Sequence, residues 1–346
     1  MTTIEEKAKS RSVRESLGWS RGIVDPALRR AVDTLHASMR RIAGYHFGWW
    51  DEQGRAAGAD GGKAIRPALV LLAAEAVGGT PTAAVPAAVA VELVHNFSLL
   101  HDDVMDGDTT RRHRPTAWSV FGLSSAILAG DALLALAFGM LTASGHPAAQ
   151  EGTLMLGTAV QHLIGGQSAD IAFEQRADVD LAEALRMAEG KTGALLGCAC
   201  ALGALFGGGS PQQVERLRGF GEDLGVAFQL VDDLLGIWGD PTVTGKPVCS
   251  DLQSRKKSLP VVAALTSGTP AGRELAALYQ RDQPLSGTDL AHAAELIERA
   301  GARAWSQSKA ADLLAQALRH LRSAAPVGRA AAELAALAQL ITRRDH

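Results

Sequence analysis

One stretch, VAVELVHNFSLLHDDVMDGDTTRRHRP at residues 89–115, indicates both the fold and the chemistry of the chain. Its first half carries apolar residues at helical spacing, at Val89, Leu93, Phe97, Leu100 and Val104. That period places one apolar stripe along an α-helix. Residues 101–115 then hold four aspartates, three arginines and two histidines. We therefore expect a packed helix that ends in a dense cluster of both charges.

A second stretch repeats this organisation further along the chain. Apolar residues recur at the same spacing, at Leu217, Phe220, Leu224, Phe228, Val231 and Leu235. This helix also leads into paired carboxylates, Asp232 and Asp233, within FQLVDDLLGIWGD at residues 228–240. Two periodic helices that each end in an Asp-Asp pair predict a facing pair of acidic clusters.

The composition favours helices throughout the chain. Only 5% of the residues are aromatic and 47% are hydrophobic, with Ala and Leu dominant. Ala and Leu lose little free energy on entering a helix, and Gly/Pro clusters separate the helical stretches. No segment alternates long enough to predict a strand. The sequence predicts an all-α fold, with a loose tail at residues 1–20 and a single domain over residues 21–346.

Charge and cysteine content exclude several classes of protein. A formal net charge of −3 gives no general attraction to nucleic acid. The three cysteines, Cys198, Cys200 and Cys249, form neither a disulfide framework nor a zinc-ligand pattern, which indicates a reducing, cytoplasmic location. Residues 1–20 lack the apolar core of a signal peptide, and the uncharged run at residues 193–214 is interrupted too early to span a membrane.

The first acidic cluster has the spacing of a metal site. Residues four apart stack on one face of a helix, so Asp102 and Asp106 can direct their carboxylates to one point, with Asp103 beside them. A divalent cation with oxygen ligands relieves their repulsion, and Mg²⁺ takes one or two carboxylates together with phosphate oxygens. The alternative is a solvated helix end, although negative charge is unfavourable at a helix C-terminus.

Basic motifs accompany both acidic clusters. They are GGKAIRP at residues 61–67, RRHR at residues 111–114, GKTGALL at residues 190–196 and TGKPVCSDLQSRKKSLP at residues 244–260. Arginine offers a planar fork for phosphate oxygens and lysine a point charge. With HDDVMDGDTTRR and FQLVDDLLG, these ordered motifs resemble the trans-type isoprenyl diphosphate synthases (polyprenyl synthetases), and geranylgeranyl diphosphate synthases in particular.

The resemblance implies an all-α antiparallel bundle around a deep cavity, usually as a homodimer, and a set of site residues. Asp102 and Asp106 would be the principal Mg²⁺ ligands, supported by Asp103, and Asp232 would complete the metal cluster with Asp233 nearby. Isopentenyl diphosphate would be held by Lys63, Arg66, His95 and Arg112. The allylic diphosphate would be held by Arg111, Lys191, Lys246 and Lys256, with Thr192 and Gln229 alongside.

One position departs from the family pattern. The second acidic motif of the family usually carries a third acid four residues after the first, and here that position is Gly236. Asp240 is four residues further on and follows a glycine, so it is not an obvious substitute. A lower metal affinity is the expected consequence.

Product length and function leave alternatives open. Ser98 is small and lies one turn before Asp102, whereas the bulky Phe97 could form a cavity floor or simply pack in the core. By resemblance, a single aromatic residue with an uninterrupted DDVMD motif favours a C20 product over C15. The alternatives are a farnesyl diphosphate synthase, a class I terpene cyclase, and a non-catalytic partner subunit of a prenyl synthase. A cyclase has little use for Lys63, Arg66 and Arg112, whereas Gly236 favours the partner subunit.

Overall fold

A computed structural model describes residues 10–58, 62–240, 249–281 and 283–342. Its helices in chain order are α1 Val13–Asp33, α2 Ala37–His46, α3 Ile65–Ala76, α4 Val85–Met105, α5 Ala117–Phe121, α6 Leu123–Thr142, α7 Ala149–Glu174, α8 Leu181–Ala188, α9 Ala194–Phe206, α10 Pro211–Trp238, α11 Ser250–Gln253, α12 Leu259–Leu265, α13 Pro270–Tyr279, α14 Gly287–Arg299, α15 Ala302–Ser323 and α16 Ala330–Thr342. A 3₁₀ turn, Pro81–Ala84, precedes α4, and a π-helical turn, Glu189–Gly193, joins α8 to α9. The predicted all-α class is confirmed.

The described part of the chain contains one hairpin, formed by β1 Thr110–Arg111 and β2 Arg114–Pro115. The two turn residues have positive φ angles, 51° at Arg112 and 60° at His113. A two-residue hairpin turn of this hand matches the twist of its strands, but it is usually built from Asn and Gly. Arg112 therefore adopts a left-handed backbone conformation that arginine rarely takes. Residues in such unfavourable conformations are often found at functional sites.

The chain groups into two compact units. Unit 1 comprises residues up to Thr158 together with residues 198–218 and 320–337, and unit 2 comprises residues 159–197, 219–319 and 338 onward. The unit boundaries fall inside helices rather than in linkers, so the single all-α domain over residues 21–346 stays a prediction.

Unit 1 is organised around α4, whose buried residues run nearly its whole length. This helix packs against α6, α3 and α1. At its C-terminal end, the His101 ring lies where a Cβ of Gly130 on α6 would be, and its Nε2 lies 3.0 Å from the Ile127 carbonyl oxygen. The acidic end of α4 is therefore fixed against α6 by close packing as well as by the apolar stripe.

The prediction of a loose tail up to residue 20 is wrong for residues 10–20. Helix α1 begins at Val13 and is capped by Ser12, which forms a reciprocal capping box with Glu15. Arg11 donates to Glu75 at 2.7 Å and to Glu333, and its guanidinium lies 3.6 Å from the centre of the Trp19 ring. Buried ion pairing and a cation–π contact order this segment, and the sequence spacing alone gave no sign of either partner.

Unit 2 has two apolar clusters that share α10 and α12. One joins α10 to α7, α8 and α15 through residues such as Phe173, Met187 and Leu230. The other joins α10 to α12, α13 and α14 through residues such as Ile237, Leu275 and Leu296. Helix α10 therefore has buried apolar residues on several faces, and this packing fixes the rotation of the helix that orients Asp232 and Asp233.

Candidate active site

In unit 1, the three aspartates at the end of α4 have different environments. Asp103 is 1% exposed and its Oδ1 accepts a 2.7 Å ion-paired hydrogen bond from Arg111 Nε. Asp102 is half-buried, and Asp106 is exposed at the C-cap of the helix. Burial raises the pKa of Asp103 to about 6, against the opposing charge of Arg111. Asp103 thus holds the hairpin arginine, whereas Asp102 and Asp106 face outward.

The basic residues next to α4 form a half-buried cationic cluster, which we define as Arg66, Arg112, His46 and His95. Burial, with Glu92 opposing it, lowers the pKa of Arg66 to about 10. Burial and the arginines lower the pKa of His95 well below its usual value and that of His46 to about 3. Both histidines are therefore neutral at pH 7 and can donate a hydrogen bond without adding a charge.

Two nitrogen atoms of this cluster lack hydrogen-bond partners among the described residues. Within the described ranges, Arg66 Nε and His46 Nε2 are buried with no hydrogen-bond partner. A buried donor left unpaired costs about 1–3 kcal/mol, so such groups usually await a ligand or water. Close packing also supports the cluster, because a Cβ at Gly62 would lie 2.6 Å from Arg112 Nη2. The arrangement fits a diphosphate group.

Arg114, the remaining arginine of the motif, has a structural role. It donates to the Tyr45 carbonyl oxygen at 3.1 Å and to the Trp50 carbonyl oxygen at 3.2 Å, and its guanidinium lies 4.3 Å from the centre of the Tyr45 ring. Because Tyr45 Oη donates back to the Pro115 carbonyl oxygen at 2.8 Å, Arg114 and Tyr45 fix the hairpin to the end of α2.

In unit 2, Asp170 on α7 forms ion pairs with two of the predicted lysines. Its Oδ2 lies 2.6 Å from Lys191 Nζ and 3.7 Å from Lys256 Nζ. Burial acts to raise the pKa of Asp170, but the two ammonium groups outweigh it and hold the pKa below the ordinary value. Lys191 lies in the π-helical turn, which packs so closely on α7 that a Cβ at Gly166 would overlap its backbone. π-Helical turns are frequent at functional sites.

A hydrogen-bonded chain connects the other predicted residues of unit 2. Thr192 Oγ1 donates to Gln229 Oε1 at 2.6 Å, and Gln229 Nε2 donates to Asp233 Oδ1 at 2.8 Å. Asp233 Oδ2 accepts from the Leu259 amide at 2.8 Å. Burial raises the pKa of Asp233 to about 7, with nearby Lys256 opposing. Asp233 is therefore a buried anchor, and its neighbour Asp232 is exposed.

The remaining predicted residues fall as follows. Phe97 is 5% exposed and its ring makes an edge contact with His101 at 4.8 Å between centroids. Ser98 is 9% exposed and its hydroxyl donates to the His95 carbonyl oxygen at 2.8 Å. Lys63 is exposed and lies two residues before the start of α3. Lys246 lies outside the described residues.

Sequence reasoning missed Asp170 and His46. Asp170 had one usable signal, since it is an acid inside a 26-residue helix that carries no Lys or Arg and must find its partner elsewhere. His46 ends α2 and is brought to the arginines only by tertiary packing. No local pattern in the sequence predicts that His46 lies near these arginines.

The carboxylates do not form a preassembled metal cage. Among the described residues, no three His, Cys, Asp or Glu side chains already converge as a ligand group. The donor chemistry nevertheless fits Mg²⁺, because the acids offer only oxygen atoms and Asp103 Oδ2 is buried with no partner in the described part of the chain. Mg²⁺ commonly binds through one or two carboxylates, with the substrate phosphates and water supplying the rest.

Comparisons with known proteins identify the family of the chain. Residues 49–297 match the family model described as polyprenyl synthetase. The (2E,6E)-farnesyl diphosphate synthase of Mycobacterium tuberculosis is 49% identical over 95% of this chain and 92% of its own length. The geranylgeranyl diphosphate synthase of the same organism is 47% identical over 92% of this chain and 91% of its own.

Solved structures give the same result. The polyprenyl synthetase of Streptomyces coelicolor superposes with a TM-score of 0.91 at 48% identity, over 95% of this chain and 99% of that one. The geranylgeranyl pyrophosphate synthase of Corynebacterium glutamicum, complexed with isoprenyl diphosphate and magnesium, gives a TM-score of 0.80 at 29% identity, over 97% of this chain and 100% of that one. The fold and these relatives define an enzyme of the trans-prenyltransferase class. The chain belongs to the polyprenyl synthetase family.

The ion pairs of Asp170 give a test of the unit 2 geometry. Asp170→Asn should lower the free energy of unfolding at pH 7 by about 2 kcal/mol, the usual value of hydrogen bonds to charged groups. Because the pKa of Asp170 lies below its ordinary value of 3.8, the stabilisation persists at neutral pH and fades as the pH falls through 3.8 toward the folded-state pKa. Urea unfolding of both proteins over this range measures it.

A matched control is Asp178→Asn, because Asp178 pairs with Arg176 at 2.9 Å but is 78% exposed. Exposed pairs contribute little, so this variant should unfold like the wild type. Equal stability of Asp170→Asn and wild type at pH 7 would contradict the anchoring role.

Proposed function

We propose that the protein is a Mg²⁺-dependent prenyltransferase that condenses isopentenyl diphosphate with allylic diphosphates to linear all-trans geranylgeranyl diphosphate (C20). The observation that carries this proposal is the acidic end of α4 lying beside a half-buried cationic cluster, in which Arg66 Nε and His46 Nε2 have no hydrogen-bond partner among the described residues. A site that binds a metal–diphosphate complex requires both charges in one place. The membership in the polyprenyl synthetase family sets the reaction class.

Isopentenyl diphosphate is assigned to the cationic cluster together with Lys63. Arg66 and Arg112 supply charge, and His95 supplies a neutral donor. His46 joins this set because its buried Nε2 has no partner among the described residues and it lines the same cleft as Arg111 and Arg112. Neutral histidines add hydrogen bonds without increasing the repulsion among the arginines.

The allylic diphosphate is assigned to Arg111, Lys191, Lys246 and Lys256, with Thr192 and Gln229 beside it. The ion pairs with Asp103 and Asp170 support this assignment, because each holds a cation at a fixed position before substrate arrives. Groups that are already oriented lose little conformational entropy on binding and stabilise charge as it develops.

Mg²⁺ is assigned to Asp102, Asp106 and Asp232, with Asp103 and Asp233 as the buried residues that orient each pair. When bound, Mg²⁺ would supply neutralising charge to the departing diphosphate. The lysines and arginines stabilise the same leaving group as the allylic C–O bond ionises. The double bond of isopentenyl diphosphate then attacks the allylic cation, and the released diphosphate takes the proton lost from the product. Apolar walls exclude the water that would otherwise quench the cation.

The metal assignment predicts that Asp102→Ala and Asp106→Ala lower the rate of product formation by at least about a hundredfold, since each removes a carboxylate from the proposed metal site. Asp108→Asn is a suitable control. Asp108 is another carboxylate of the same acidic motif, and it is not assigned to the metal. Radiolabelled isopentenyl diphosphate incorporation measures the rates. Near-normal rates in both alanine variants would contradict the metal assignment.

Product length is assigned to Phe97 and Ser98. A single buried aromatic residue on the α4 stripe, followed by a small residue one turn before Asp102, supports C20. Phe97→Ala should lengthen the product by one or more isoprene units, because it removes bulk from the proposed floor. Chromatography of the dephosphorylated products with C5, C10 and C15 starters measures this, and an unchanged distribution would return Phe97 to ordinary core packing.

The same product assay separates the alternatives. A C15 product from the wild type would favour a farnesyl diphosphate synthase, and a cyclic hydrocarbon formed from an allylic diphosphate alone would favour a terpene cyclase. Absence of product from every starter would favour a non-catalytic partner subunit. A cytoplasmic location remains a prediction from the cysteine content.

We further propose that the protein is a homodimer through the open face of α6. Within the described part of the chain, two helical stretches are long and apolar enough to cross a membrane. Of the most apolar 18 residues in each, 72% are buried at Pro81–Met105 and 33% at Leu123–Thr142. The exposed face of α6 presents Leu128, Asp131, Ala135 and Gly139 at helical spacing. Small residues admit a second helix closely, and the exposed Asp131 is costly in lipid.

Leu128 is 57% exposed on this face, so Leu128→Lys should convert the dimer to a monomer by burying a charge in the interface. Sedimentation velocity measures the mass. Leu340→Lys is the matched control, since Leu340 is an exposed leucine on α16. A wild-type monomer that binds lipid vesicles would instead make this face a membrane surface.

A further inference from the structure

One face of α1 carries charged residues to which the proposed reaction assigns no role. Arg21, Asp25 and Arg29 follow one another at intervals of one helical turn, so their side chains share this face. With Glu92 of α4, they line a cavity of about 130 Å³ in unit 1. The wall of this cavity also includes Gly62, in the connection that leads into α3. This face of α1 therefore lies against that connection.

Arg21 binds the backbone of this connection. Its Nη2 donates a hydrogen bond to the Gly62 carbonyl oxygen. Gly62 has a φ of 95°, and a Cβ at this position would lie 2.6 Å from Nη2 of Arg112, a member of the cationic cluster. The backbone of Gly62 therefore contacts Arg21 through its carbonyl oxygen and Arg112 through its Cα.

Lys63 lies between two residues with left-handed backbone conformations. Gly62 precedes it, and Ala64, with φ of 50° and ψ of 42°, follows it as the N-cap of α3. Alanine rarely adopts this conformation, so contacts from outside the turn must stabilise it. The hydrogen bond from Arg21 to Gly62 is such a contact, and it acts one residue before Lys63.

Arg21 is itself oriented by its neighbours on α1. Burial raises the pKa of Asp25 and the charges of Arg21 and Arg29 oppose this increase, so the three groups lie close together. The guanidinium of Arg29 lies 4.4 Å from the centre of the Trp49 ring, a distance typical of a cation–π contact. Arg21 is therefore a half-buried member of an ordered array of charges.

We propose that Arg21 is a positioning residue for isopentenyl diphosphate, because it fixes the turn at residues 62–64 and so orients Lys63 before the substrate binds. Arg21 acts on the backbone and does not itself need to contact the substrate. A turn that is already ordered loses less conformational entropy when Lys63 binds the diphosphate. The inference rests on the proposed function, since it concerns the same substrate and the lysine assigned to it.

The test compares the steady-state kinetics of the full-length wild type and Arg21→Met, which removes the donor and keeps a long side chain. Arg21→Met should raise the KM for isopentenyl diphosphate about tenfold, with kcat and the KM for the allylic diphosphate within about twofold of the wild type. Arg21→Lys retains a donor and should raise this KM less than Arg21→Met does. Arg30→Met is the matched control and should behave like the wild type, because Arg30 is exposed on the same helix.

A double-mutant cycle with Lys63→Ala separates positioning from an independent effect of Arg21. If Arg21 acts through Lys63, adding Arg21→Met to Lys63→Ala should change the KM for isopentenyl diphosphate by less than about twofold. A further increase as large as that of Arg21→Met alone would overturn the inference. An unchanged KM in Arg21→Met, or an equal increase in the KM of both substrates, would also overturn it.

Hydrogen–deuterium exchange of a peptide that covers residues 62–66 gives a readout that does not depend on turnover. Exchange in this peptide should be faster in Arg21→Met than in the wild type, with unchanged exchange in α6 as the reference. Equal exchange in both proteins, or an equal acceleration in α6, would contradict the anchoring role. If the wild type forms no product from any starter, the proposed function fails, and the exchange of this peptide still decides whether Arg21 fixes the turn.

Discussion

The ion pair between Asp103 and Arg111 is the contact on which the charged groups of unit 1 depend. At 2.7 Å, with Asp103 almost fully buried, it ties the last turn of α4 to the hairpin that carries Arg112. Without an anion at this point, the arginines would repel one another in a place that water reaches poorly. The buried Asp103 carboxylate therefore stabilises the arginines of the hairpin next to the more exposed carboxylates of Asp102 and Asp106.

Unit 2 also has one buried and one exposed aspartate in its Asp-Asp pair. Asp233 is buried and accepts from Gln229 and from the Leu259 amide, whereas Asp232 is exposed. In each Asp-Asp pair, the second residue anchors the helix end and the first faces outward. Asp170 completes the pattern by fixing two lysines that come from different segments. The proposed catalytic groups are thus positioned by acids that do not themselves need to touch substrate.

Burial also sets the protonation of the histidines that we propose to bind substrate. The desolvation that lowers the pKa of His46 to about 3, and that of His95 well below its usual value, removes their charge at physiological pH. Four full positive charges in one cluster would be costly, but two arginines and two neutral donors are tolerable until an anion arrives. Arg66 Nε and His46 Nε2 have no partner among the described residues, so they are available to hydrogen-bond the proposed diphosphate.

The sequence by itself determined the helices, the acidic and basic motifs and the family, because helical period and local charge spacing are properties of neighbouring residues. It could not find Asp170, His46 or the ion pairs of Arg11, since their partners lie far away along the chain and meet only through packing. It also presented Gly236 as a missing acid. Only the tertiary structure decided that the Asp251 carboxylate occupies the space of a side chain at that position, because a gap on a helix is defined by what packs into it.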